Sequence, residues 1–165
     1  MKTKKLLVSI AIVCLLVGVS GGAAMAEGCG DGLLQNETFG NLVIRGEPCT
    51  IIGSTIEGNL RVINSDHVLL LNNKVGGNIR VRDGGVANVI ANTVFGGNLV
   101  VKNNDSANVI ENETLTGNIR VTFNTTALVQ KNIAAHNLIC KETTSDLRAF
   151  LNFAGDTLNC SEDAQ

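Results

Sequence analysis

The chain of 165 residues contains no Trp and no Tyr, and aromatic residues make up only 3% of it. Few side chains are therefore available to stack against a sugar ring. No Cys-x-x-Cys pair and no regular Thr-x-Thr array occurs, which disfavours a zinc site and an ice-binding surface. After residue 26, no apolar run approaches the about 20 residues that a membrane-spanning helix needs.

Residues 1–26 have the pattern of a secretory signal peptide. Three lysines near the start precede an apolar run over 6–19, and residues 24–26 form a small-x-small site. This pattern predicts cleavage after Ala26 and a secreted or extracytoplasmic protein, at the cell surface or in the periplasm. We expect no membrane association after cleavage.

The remaining segment, 27–165, has the length of one domain. Removing three of the 13 basic residues leaves 10 against 15 acidic ones, a net charge of −5. This balance predicts no general attraction to nucleic acid.

A Gly-Asn-(Leu/Ile)-x-(Val/Ile) motif recurs along the chain, and its successive spacings are 18, 19, 20, 20 and 19 when the degenerate copy at His136 is included. A fixed short period indicates one structural unit stacked on itself. Within each motif two apolar residues flank one outward position, which is typical of a strand with one buried face. Turn formers and a second apolar strand follow, then a short third segment, so the repeat predicts a β-solenoid of about seven coils. The motif asparagines form a first predicted ladder of stacked amides: Asn41, Asn59, Asn78, Asn98, Asn118 and Asn137.

A second asparagine recurs after the second strand of each coil, and Gly53 takes its place in one coil. Stacked amides can hydrogen-bond along a solenoid and to the turn backbone. Both ladders are interpreted as structural. The second predicted ladder comprises Asn36, Asn72, Asn92, Asn112, Asn132 and Asn152.

The segment 145–151 could begin a short helix with Ser145 as its N-cap. The repeat register favours a last coil instead, because Asn152 and Cys160 each lie one full repeat after Asn132 and Cys140.

Four cysteines remain after residue 26, and an even number in an exported chain indicates disulfides. Of the three possible pairings, Cys29–Cys49 and Cys140–Cys160 each span one repeat. Adjacent strands about 4.8 Å apart suit disulfide geometry. These bonds would join neighbouring coils at the two ends.

The chain resembles small secreted parallel β-helix repeat proteins, a largely uncharacterised group. The resemblance is carried by the V-x-G-N-[LI]-x-V repeats, the predicted signal peptide and the last coil that cysteines close. The resemblance covers roughly residues 29–160 and implies a right-handed parallel β-helix. The alternative is a left-handed helix, which requires every coil to consist of three six-residue steps. Similar coils occur in pectate-lyase-like enzymes, adhesins and self-assembling bactofilins.

Three functions are compatible with the sequence. The first is a non-catalytic exported scaffold of the cell envelope, surface or matrix, which binds a polymer or self-associates and needs no cofactor or metal. The second is a polysaccharide lyase or hydrolase that uses the turn carboxylates Asp66, Asp83 and Asp105 together with the outward arginines of the repeat. The third is a binder of anionic polymer. Its candidate ligand face is a stripe of outward arginines: Arg61, Arg80 and Arg120.

Overall fold

The computed structural model describes residues 25–160 and contains twenty β-strands, all paired in parallel. Most of the predicted signal peptide lies outside the described residues. The strands fall into three columns, as the repeat predicts. The first column holds β1 (Met25–Glu27), β4 (Asn41–Arg45), β7 (Leu60–Ile63), β10 (Ile79–Ile90), β12 (Leu99–Ile110), β14 (Ile119–Thr122), β17 (Asn137–Lys141) and β20 (Thr157–Cys160).

The second and third columns follow the first column in every coil. Strands β10 and β12 are 12 residues long and run through both the first and second columns. The second column also contains β2 (Leu33–Gln35), β5 (Cys49–Ile52), β8 (His67–Leu71), β15 (Thr126–Gln130) and β18 (Asp146–Phe150). The third contains β3 (Thr38–Phe39), β6 (Thr55–Ile56), β9 (Lys74–Val75), β11 (Thr93–Val94), β13 (Glu113–Thr114), β16 (Ile133–Ala134) and β19 (Phe153–Ala154).

These columns form a parallel β-solenoid of about six full turns, preceded by a shorter first coil in which Met25 pairs with Asn41. The all-β solenoid is confirmed, with about six full turns where the sequence predicts about seven coils. The right-handed winding of its coils stays a prediction. Residues 141–160 form the predicted last coil, and β18 occupies the segment that the helix alternative would have taken. Over residues 25–160 there is no helix of the length and apolarity that crossing a membrane requires.

The core lies inside the coils and is built from one apolar ladder per inward position. In the first column, Leu42, Leu60, Ile79, Leu99, Ile119 and Leu138 stack in register and are fully buried. The second column adds alternating Val, Leu and Ala, and the third adds one inward residue per coil, which is buried in the five coils from Ile56 to Ala134. Alternation of buried and exposed residues therefore follows from the period of two in each strand.

The first predicted asparagine ladder is continuous. Each backbone N–H and side-chain amide donates to the Oδ1 of the asparagine one coil earlier, as when Asn59 N donates to Asn41 Oδ1 over 2.8 Å. The same pattern continues from Asn78 to Asn137. Each interior side-chain amide thus donates to the asparagine before it and accepts from the asparagine after it. These hydrogen bonds stabilise the corner between the third and first columns.

The second ladder differs from its prediction in the first coils. Asn92, Asn112, Asn132 and Asn152 belong to it, and their amides bond along the stack over 3.0–3.1 Å. In the two coils before them the ladder residues are Ser54 and Asn73. Ser54 N donates to Asn73 Oδ1, and Asn73 donates to Asn92 Oδ1 through its backbone N and its Nδ2.

The predicted membership of this ladder is therefore wrong at Asn36 and Asn72. Both are exposed, both have φ of 56°, and each lies one residue before the ladder position. The whole preceding column is left-handed, with φ between 53° and 61°. Its members are Asn36, Gly53, Asn72, Ala91, Glu111, Lys131 and Leu151.

A third buried polar column lies at the turn between the first and second columns. Asn104 Nδ2 donates to Asn124 Oδ1 over 3.1 Å, and Gly84 N donates to Asn104 Oδ1. Asn124 is fully buried, and Ser65 occupies the same turn two coils before Asn104. As in the second ladder, a residue with positive φ precedes the buried polar one, so both corners combine a left-handed residue with a polar side chain that satisfies the turn backbone.

Both predicted disulfides are present. Cys29 bonds to Cys49 with a Cα–Cα distance of 5.7 Å, and Cys140 bonds to Cys160 with 4.4 Å. Cys140 and Cys160 are direct register partners on β17 and β20. Each bond closes a loop of one coil near an end of the solenoid.

Candidate functional site

The arginine stripe lies on the outer surface of the first column. Parallel register places Arg61 directly beside Arg80, and Val100 between Arg80 and Arg120. Val43 precedes the stripe and Ile139 follows it. The structure thus brings the three predicted residues into one row that runs from coil to coil.

A second basic row lies two residues farther along the same strands, and the sequence interpretation missed it. Its register partners are Arg45, Ile63, Arg82, Lys102, Thr122 and Lys141. The signal was present in the sequence: in four of the six motif copies, the fifth residue after the first one is Arg or Lys. We refer to the two rows together as the basic face: Arg45, Arg61, Arg80, Arg82, Lys102, Arg120 and Lys141.

The basic face concentrates the positive charge of the described chain. Seven of the ten Lys and Arg residues after residue 26 lie on it, and the other three are Lys74, Lys131 and Arg148. The chain as a whole has a net charge of −2. Positive potential on this side therefore results from segregation of the charges within an acidic molecule.

Arg82 and Lys141 of this face form ion pairs with the carboxylates that follow them in the sequence. Arg82 Nη1 lies 2.6 Å from Asp83 Oδ2, and Lys141 Nζ lies 3.7 Å from Glu142 Oε1. Within residues 25–160, the side chains of Arg61, Arg80, Lys102 and Arg120 form no hydrogen bond or ion pair. The Nε of Arg61 is buried and lacks a hydrogen-bond partner in this part of the chain.

These unpaired cations are close neighbours, because adjacent strands lie about 4.8 Å apart. Like charges directly opposite each other destabilise a sheet. The arrangement therefore costs stability in the free protein, and an anion placed between the side chains would remove that cost.

A shallow depression of about 580 Å³ lies over this surface. The cations lining it are Arg61, Arg80, Arg82, Lys102, Arg120 and Lys141, and Val100 forms part of its floor. A smaller hollow between Arg80 and Arg120 also includes Val100. The face can thus hold an elongated group against several guanidinium and ammonium donors at once.

The turn carboxylates do not form the single row that the sequence predicts. Asp66 and Asp105 share one register position, but Gly85 lies between them, so they are two coils apart. Asp83 occupies a different, left-handed position and pairs with Arg82. Among residues 25–160, no three His, Cys, Asp or Glu side chains lie close enough together to hold a metal ion.

The two histidines lie away from the basic face. His67 is exposed at the start of β8. His136 Nδ1 lies 2.8 Å from Asp156 Oδ2, which links the last two coils at an exposed corner.

Comparison with known proteins identifies no relative: no protein-family model, no curated protein and no solved structure matches this chain. The fold and the hydrogen-bonded ladders support the resemblance carried by the repeats at the level of a β-solenoid with asparagine ladders.

Proposed function

We propose that this protein is a non-catalytic scaffold of an extracytoplasmic compartment, which binds an anionic polymer through the basic face. The observation that carries the proposal is the charge segregation: seven of ten cations share one sheet surface. Four of them have no protein partner within residues 25–160. Unpaired, closely spaced guanidinium groups are a standard arrangement for recognition of carboxylate, sulfate or phosphate.

The rigidity of the coils supports a scaffold. The surface is part of a continuous parallel sheet whose inward residues are buried from Leu42 to Cys140, and asparagine ladders fix the corners. A backbone held this way loses little conformational entropy when a ligand binds, so the entropy cost is confined to the side chains of the surface. The near-constant length of the coils also gives a flat, repetitive surface without long inserted loops.

The location is proposed from two features. Residues 1–26 have the pattern of a signal peptide. The two disulfides fit an oxidising compartment outside the cytoplasm.

Binding to anionic polymers tests the proposal. The segment 27–165 would be titrated with alginate, heparin and neutral dextran, and the salt dependence would be measured. We expect the two anionic polymers to bind and dextran not to bind. The variant R61S/R80S/R120S should lose at least tenfold in affinity, since each charged contact contributes about 1 kcal/mol or more.

The matched control changes the same number of cations off the face: K74S/K131S/R148S. It has the same net charge as the first variant, so it separates the surface arrangement from overall charge. Equal losses in both variants, or no binding to either anionic polymer, would refute the proposal. Chain cleavage of alginate or heparin during the titration would instead support the polysaccharide-active alternative.

A further inference from the structure

We infer that the polymer lies along the solenoid axis and places one anionic group over each coil, which identifies the ligand as a linear acidic polysaccharide with a charge on every sugar. This inference rests on the proposed function and adds the orientation and spacing of the ligand.

The cations follow the axis without a gap when the two rows are taken together. The five successive coils that line the depression contribute Arg61, then Arg80 with Arg82, then Lys102, then Arg120 and then Lys141. Arg45 lies one coil before them, outside the depression. Where the first row is interrupted by Val100, the second row supplies Lys102. Where the second row is interrupted by Thr122, the first supplies Arg120.

The spacing of these charges is set by the sheet. Strands about 4.8 Å apart place five charged coils over about 19 Å. A sugar in an extended chain advances by a similar length, so each coil can meet the charged group of one sugar. A ligand lying across the strands would meet far fewer cations, because only the coil of Arg80 and Arg82 presents two.

The chemistry of the face favours an acidic polysaccharide held through its carboxylates over a ligand that binds by ring stacking, whether a neutral sugar or a nucleic acid. Single-stranded nucleic acids bind by stacking bases on aromatic side chains in addition to backbone contacts. The chain has no Trp and no Tyr, and the lining of the depression includes one aromatic residue, Phe123. Arginine can bind carboxylates with two parallel hydrogen bonds, which suits a row of sugar acids.

The first experiment is a length series. The segment 27–165 would be titrated with alginate oligomers, which carry a carboxylate on every sugar, and with hyaluronan oligomers, which carry one on every second sugar. We expect alginate affinity to rise with each added sugar up to about five and then to level off. Hyaluronan of equal length should bind at least tenfold more weakly.

The second experiment fills the gap in the first row. Val100→Arg adds a cation between Arg80 and Arg120, and we expect it to raise affinity for the alginate five-sugar oligomer about tenfold and to steepen the salt dependence. Leu69→Arg is the matched control, since it adds a cation at another half-buried, outward position, on the second column.

The outcomes separate the inference from the proposed function. If neither polymer binds, both fail. If anionic polymers bind but affinity levels off at two sugars, the axial arrangement alone is overturned. Equal effects of Val100→Arg and Leu69→Arg would overturn it in the same way. Tighter binding of an oligothymidine of equal charge would overturn the assignment to polysaccharide.

Discussion

The middle coils and the end coils of this solenoid have the same sequence pattern and different environments. Leu138 and Leu158 are register partners in adjacent coils, yet Leu138 is 0% exposed and Leu158 is 53% exposed. At the other end, Leu34 is only half-buried, whereas its register partner Ile51 is fully buried. Burial of an inward residue therefore depends on a coil at each side of it, and within residues 25–160 each end coil has such a neighbour on one side only.

The largest expected effect is a charge placed where a coil lies on both sides. Leu138→Asp buries an unpaired carboxylate, so we expect a loss of more than about 4 kcal/mol and failure of the C-terminal coils to fold. Leu158→Asp keeps its charge half in water and should cost about 1 kcal/mol or less. Urea unfolding followed by circular dichroism would measure both. Similar losses would show that Leu158 is covered in solution.

Removal of an end disulfide is expected to have the next largest effect. The variant C140S/C160S opens a loop of one coil and should lower the stability of the last coil by about 3 kcal/mol. Hydrogen exchange should become faster in β18–β20 and stay unchanged in β10 and β12. The variant C29S/C49S serves as the comparison and should affect only the first coils. Faster exchange throughout the chain would contradict the expectation that the stability of the middle coils does not depend on the end disulfide.

The asparagine ladders should contribute more in the middle than at the end. Asn112 accepts from Asn92 and donates to the carbonyls of Val89 and Ile110 and to Asn132, all within a buried corner. Asn112→Ala leaves buried polar groups unpaired, and we expect a loss of about 2–3 kcal/mol. Asn152→Ala, in the last coil, should cost about half as much. Equal losses, measured by denaturant unfolding, would contradict this difference.

The smallest expected effect comes from charge repulsion on the basic face. Arg80→Gln removes a cation that is a direct neighbour of Arg61, and we expect it to raise stability by up to about 1 kcal/mol at low salt. The gain should disappear at high salt because screening weakens the repulsion. Arg148→Gln, which removes a paired cation from the last coil, should not stabilise. A salt-independent result at Arg80 would contradict the electrostatic explanation.

The columns, the first ladder and both disulfides were predictable because a single repeat period determines all of them. The prediction of the second ladder is wrong at Asn72 because Asn72 and Asn73 are adjacent, and only the three-dimensional register shows which of them is buried. Asparagine suits both a left-handed turn position and a ladder, so residue type does not separate the two.

The basic face was only half predictable. The arginines of the first row lie inside the repeat motif, whereas Arg82 and Lys102 lie beyond its last apolar residue, next to the segment where the sequence predicts a turn. In the structure every first-column strand from β4 to β17 extends at least one residue beyond the motif, and the period of two places Arg82 on the same surface as Arg80 and Lys102 on the same surface as Val100. The end of a strand depends on its pairing with the next coil, and this pairing is not visible in one coil alone.

In-register stacking also makes the coil a unit of length. Strands β10 and β12 pair at ten positions within one repeat, so duplication of that whole repeat would leave every side chain on its present surface. Insertion of a single residue in a strand would move the following side chains to the opposite surface of the sheet. Under the proposed axial arrangement, the length of the binding surface is set by the number of coils. Each added coil lengthens the surface by one strand spacing, and the ligand that it accommodates becomes longer by one sugar.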